Sequence, residues 1–110
     1  MSPIPRIDLA PGLNVPRLIV GLWQVADMER GGQPLEPDAA ADALQAYAQA
    51  GFDAFDMADH YGSAELIAGR LLARRATPSA RAFTKWCPPP GPMSADGVRA
   101  GVERSRQRLG

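Results

Sequence analysis

GFDAFDMADHYGSAELIAGRLLARR, residues 51–75, changes character in its middle. Phe52 to Met57 is a short, largely apolar run that reads as a strand. From Ser63 the pattern is helical. Ser63 is a capping residue, Glu65 stands in the first turn and arginines in the last, each where the helix dipole favours its sign. Ile67 and Leu71 share a face, as do Ala64, Ala68 and Leu72. Thr77-Pro78 breaks the helix. Between strand and helix, Asp56 to Tyr61 hold two aspartates, the only histidine and a tyrosine.

The same alternation continues on both sides. Upstream, Pro37-Asp38 starts a helix over 38–50, rich in alanine, and Gly51 closes it. MERGGQPLEP, residues 28–37, reads as a loop. Leu18 to Val25 is continuous enough for a buried strand. PGLN, residues 11–14, reads as a hairpin turn between RIDLA and VPRLIVGLWQV. Downstream, Arg81 to Trp86 is a third strand and CPPPGPM a rigid loop. Ser94 starts a third helix, with Val98, Val102 and Leu109 on one face. Hairpin, then strand and helix three times over, argues for an α/β fold of parallel βαβ units. An open doubly wound sheet and a (β/α)8 barrel both fit, and both gather chemistry at the C-terminal ends of strands. GLW after the first parallel strand lacks the GxGxxG pattern, which weakens the doubly wound dinucleotide reading.

Composition narrows the function classes. With 110 residues the chain reads as one domain at most, 1–110. Net charge is zero, so nothing favours nucleic acid or an anionic membrane. No apolar run reaches the ~18 residues of a membrane span, and the proline-containing N-terminus does not read as a signal peptide. The expectation is a soluble, cytoplasmic protein. The lone Cys87 makes no intramolecular disulfide and no cysteine zinc cluster. Eleven of the twelve basic residues are arginine, which singles out Lys85. A retained lysine can tune a proton donor at short range in a way that arginine cannot.

Strand parity puts Phe52, Ala54 and Asp56 on one face, and Asp53, Phe55 and Met57 on the other. On the third strand Arg81, Phe83 and Lys85 share a face. Neighbouring strands lie ~4.8 Å apart, so Asp56 and Lys85 can meet, and in a buried space they pair. Tyr61, in the following loop, can fold back over them. An ammonium beside a phenol stabilises phenolate and makes the tyrosine a donor to a forming alkoxide. That is the acid half of a carbonyl reduction, and the hydride must come from a cofactor. Plainer roles also fit: Asp56 as a turn cap, Tyr61 as a rim aromatic, Lys85 as a solvated strand-end charge. His60 reads as a loop residue near substrate, Glu65 as a helix N-terminal charge and Cys87 as an inert small side chain. Trp23 and Trp86 read as core, or as a wall for an aromatic ring. A metal site from Asp56, Asp59, His60 and Glu65 has suitable ligand types. It is disfavoured, because Asp53 points away and no second histidine exists, so no metal is expected.

FDMADHYGSAE resembles the FDTADxYGxSE stretch of the aldo-keto reductases. FTKW around Lys85 is similar to their ATKW, GLWQV to their GTW phrase, ERSRQRLG to their SLxRLG, and residues 6–20 to their hairpin that plugs the barrel bottom. The resemblance covers nearly the whole chain. It implies the N-terminal part of a (β/α)8 TIM barrel, with a β-hairpin plug and about three βα units. It implies NADPH, less often NADH, and an aldehyde or ketone substrate. By position, Asp56 and Lys85 tune Tyr61, the proton donor, and Gly21, Leu22, Trp23 and Asp56 lie beside the cofactor. The family's catalytic histidine at its fourth strand has no counterpart here, and His60 is no substitute. A barrel needs about 250 residues, so the expectation is an incomplete barrel with little or no activity alone. A non-catalytic reductase-like binding or regulatory subunit and a non-functional gene fragment are the alternatives. The incomplete sheet leaves an open edge through which copies can associate.

Overall fold

The computed structural model describes residues 3–25 and 36–110. The loop expected over 28–37 lies mostly outside the described residues. A two-stranded antiparallel hairpin, β1 (Arg6–Ala10) and β2 (Leu13–Pro16), opens the chain. Then come β3 (Val20–Gly21), α1 (Pro37–Gln49), β4 (Ala54–Asp56), α2 (Ala64–Arg74), β5 (Arg81–Phe83) and α3 (Ala95–Leu109). The strands β3, β4 and β5 form one parallel sheet in that order. This is part of a barrel wall, and the barrel is not closed. No helix among the described residues is long and apolar enough to cross a membrane.

Local signals explain the helix ends. Glu36 caps α1 by accepting from the Asp38 and Ala39 amides, and Gly51 (φ 103°) supplies the left-handed residue after its end. The Ser94 hydroxyl accepts from the Gly97 amide and caps α3. In the hairpin, Gly12 (φ 77°) makes the reversal, so β2 begins at Leu13, inside the expected four-residue turn.

The sheet packs its helix-side face against α1 and α2. Leu22, Phe55 and Met57 meet Ala41, Leu44, Ala48, Ala64, Ile67, Ala68 and Leu71 in one buried cluster. Complete burial of a side chain such as Phe55 or Leu44 contributes about 1.5–3 kcal/mol. Arg74 ties the helices together, donating to Asp42 at 2.6 Å and to the Asp38 carbonyl at 2.9 Å. At the N-terminal end of the strands, Arg6 donates to the buried Asp53 at 3.0 Å and to the Gly51 carbonyl at 3.2 Å. Those bonds dock the hairpin as a plug.

The parallel strands are all shorter than expected, β4 covering Ala54–Asp56 of Phe52–Met57 and β5 Arg81–Phe83 of Arg81–Trp86. The strand expected over Leu18–Val25 is regular only at Val20–Gly21. β3 has one partner, the short β4, so its ladder ends with the Leu22 amide on the Asp56 carbonyl, and Leu18 stays 71% exposed. The expected apolar face of α3 is also turned: Val98 and Val102 are exposed, and Gly101 and Ser105 are buried. The small residues win because Trp86 lies against Gly101. A Cβ there would stand 2.3 Å from the indole nitrogen.

Candidate active site

Backbone bonds that outrun the strands line up the residues of the site. Gly21 is opposite Asp56 in the ladder. Beyond it the Met57 amide donates to the Phe83 carbonyl and the Asp59 amide to the Lys85 carbonyl, both at 2.9 Å. Side chains therefore alternate as parity requires. Gly21, Asp56 and Lys85 face away from the helices, while Leu22, Phe55 and Met57 face them.

The Lys85 ammonium donates to Asp56 Oδ1 at 3.0 Å, to Oδ2 at 3.1 Å and to the Met57 carbonyl at 2.7 Å. The pair does not lie in the buried space expected for it. Lys85 and Asp56 are 48% and 50% exposed, since the sheet face they share is open. An exposed pair contributes at most about 1 kcal/mol to stability. What these three bonds do is fix where the ammonium sits.

Tyr61 lies in the loop between β4 and α2, pinned by its amide on the Ala58 carbonyl at 3.1 Å and by the Ala64 amide on its own carbonyl at 2.9 Å. Its ring meets Trp23 edge-on at 5.0 Å and His60 at 4.9 Å. The Lys85 ammonium is 5.5 Å from the ring centre, within cation–π reach. Asp56, Lys85, Tyr61 and Trp23 thus come together. Gly21 joins them on an open face, with nothing within 4 Å of where a Cβ would stand. Leu22 joins only through its backbone, because its side chain is in the core. Trp86 is turned away, packed on Gly101.

Glu65 stands in the first turn of α2, as expected of a helix N-terminal charge. It is also buried, accepting from Thr84 Oγ1 at 2.8 Å and from Arg108 Nη1 at 3.0 Å. Arg108 also donates to the Asp59 carbonyl at 3.2 Å, and so supports the loop that carries Tyr61. The signal for this was spacing: Glu65 stands three residues before Ala68, within the buried stripe of α2. The metal grouping weighed from the sequence is dispersed. Asp56 goes to Lys85 and Glu65 to Arg108, while Asp59 and His60 gather with Cys87.

A phenol, a held ammonium and a carboxylate at the C-terminal ends of parallel strands form an arrangement suited to proton transfer. Comparison with known proteins agrees on the lineage. No curated protein matches the chain. Two solved structures described as an aldo-keto reductase from Pseudomonas aeruginosa are similar, at 28% and 27% identity and a TM-score of 0.72. They cover 94% of this chain, which spans 41% and 42% of theirs. The Bombyx mori aldo-keto reductase in complex with NADP shares the fold at 19% identity and a TM-score of 0.67, covering 99% of this chain and 35% of its own. The chain is thus well under half the length of these structures. The model of the aldo/keto reductase family matches from Arg17 to Gly110, and to that family the chain belongs.

Proposed function

We propose that residues 1–110 form the N-terminal segment of an NADPH-dependent reductase of aldehydes or ketones, with Tyr61 as its proton donor. The observation that carries this reading is the placement of Lys85, held by Asp56 and the Met57 carbonyl with its ammonium 5.5 Å from the Tyr61 ring centre. A reduced nicotinamide supplies, when bound, the hydride that no side chain can provide. Tyr61 gives its proton to the carbonyl oxygen as negative charge builds there. Lys85 stabilises the charge left on the phenol oxygen, and Asp56 keeps the ammonium from swinging into solvent. Alcohol oxidation is the same path reversed.

The residues present fit the nicotinamide end of the cofactor. Gly21 leaves open space on the sheet face, Trp23 offers an indole 38% exposed, and Asp56 offers an acceptor for a ribose hydroxyl. The backbone of Leu22 borders the same space. NADP in the silkworm relative supports the cofactor class, with NADH the less common choice.

The test joins residues 1–110 to the remainder of the Pseudomonas aeruginosa barrel and follows NADPH absorbance. Addition of an aldehyde or ketone should start NADPH oxidation by the fusion and leave residues 1–110 alone at background. A folded fusion that binds NADPH but never turns over a carbonyl would contradict the proposal and favour a non-catalytic binding module.

A further inference from the structure

Asp59, His60 and Cys87 come from two consecutive loops at the same end of the sheet. Asp59 and His60 follow β4, and Cys87 follows β5. Each offers one ligand atom, and these atoms lie within 4.8 Å of one another. Two backbone amides hold the loops and the Asp59 carboxylate in place. The Asp59 amide donates to the Lys85 carbonyl at 2.9 Å, and the Cys87 amide donates to Asp59 Oδ1 at 3.3 Å. The Asp59 carboxylate is only 11% exposed, and His60 Nδ1 lies 3.3 Å from its Oδ1.

The Asp59–His60 distance suits a particular ion. A tetrahedral zinc binds oxygen and nitrogen at about 2.0 Å and sulfur at about 2.3 Å, which sets its ligand atoms roughly 3.3–3.5 Å apart. The Asp59–His60 edge already has that length. Cys87 is a free, exposed thiol, and its sulfur lies within 4.8 Å of the other two ligand atoms. Thiolate, imidazole and carboxylate together select a borderline-soft cation over magnesium or calcium. We propose that Asp59, His60 and Cys87 bind one divalent cation of the zinc class, with the fourth position open to water. On binding, the Cys87 S–H bond breaks, the sulfur electron pair forms the metal–sulfur bond, and the proton leaves to solvent. The Cys87 amide, by holding the carboxylate, orients a ligand from outside the coordination sphere. The site stands independently of the reductase reading.

Cobalt titration of the reduced chain tests this directly. One equivalent of Co²⁺ should bring up a thiolate-to-cobalt charge-transfer band that Zn²⁺ then removes, with the sedimentation of the chain unchanged by the metal. Zn²⁺ should slow reaction of Cys87 with a thiol reagent. Cys87→Ser should abolish the band, and His60→Ala and Asp59→Asn should each weaken binding at least tenfold, with circular dichroism unchanged. Binding that survives both His60→Ala and Asp59→Asn would mark a lone thiol and overturn the proposal. So would a complex of one metal with two chains.

Discussion

The guanidinium of Arg108 reaches Glu65 at 3.0 Å and the Asp59 carbonyl at 3.2 Å, so the last turn of α3 holds both the start of α2 and the Tyr61 loop. Glu65 is 2% exposed and Arg108 35%. Removing one partner of a fully buried pair costs about 3–5 kcal/mol, because a charge is left without compensation. The partial exposure of Arg108 reduces this. Arg108→Met should lower stability by about 2–3 kcal/mol in urea unfolding. Adding Glu65→Leu to that variant should recover much of the loss, since the orphaned carboxylate is gone. A double variant no more stable than Arg108→Met would show that the ion pair is not the cause.

Gly69 is required for the same contact between helices. A Cβ at this position would stand 2.2 Å from the Arg108 carbonyl oxygen. That neighbour is backbone and cannot rotate away, so α2 and α3 must separate. Gly69→Ala should cost about 1–3 kcal/mol, the range for overpacking, despite the better helix propensity of alanine. Gly97→Ala in α3, where the nearest heavy atom to an added Cβ is the Ser94 hydroxyl at 3.2 Å, is the milder comparison. Equal melting temperatures for the two variants would contradict this packing.

Acid should loosen the start of α1. Hydrogen bonds donated by the Asp38 and Ala39 backbone amides hold the Glu36 carboxyl below its ordinary value of 4.5. A lowered folded value means that this capping contribution is present above the unfolded value and lost as pH falls through the folded one. The Asp38 and Ala39 amide resonances should therefore move together on titration below pH 4.5. In Glu36→Gln they should not titrate with residue 36. Titration of both amides unchanged in that variant would assign the effect to another carboxylate.

Local signals and strand parity carried much of the fold. Gly51, Ser94 and the alanine-rich 38–50 segment mark helix ends by short-range chemistry, and the structure places those ends within a residue or two. The meeting of Asp56 with Lys85 followed from parity plus adjacency. Four things depended on tertiary context. Leu18 to Val25 looked apolar enough for a long strand, but a strand is only as long as the partner it pairs with. The valines of α3 looked like its buried face, but close approach of Trp86 demanded Gly101. Glu65 read rightly as a helix N-terminal charge, but nothing local announces its partner, an arginine 43 residues later. Cys87 was likewise set aside, although the loop after β5 brings it to Asp59.

The central claim is that Tyr61 delivers the proton. The measurement that tests it most directly is kcat for the Tyr61→Phe form of the fused reductase against its parent, with NADPH and one carbonyl substrate. The aromatic contact with Trp23 is kept in this variant, so folding and cofactor affinity should hold while kcat falls about 10²–10⁴-fold. A folded Tyr61→Phe enzyme with kcat within twofold of its parent would contradict the account.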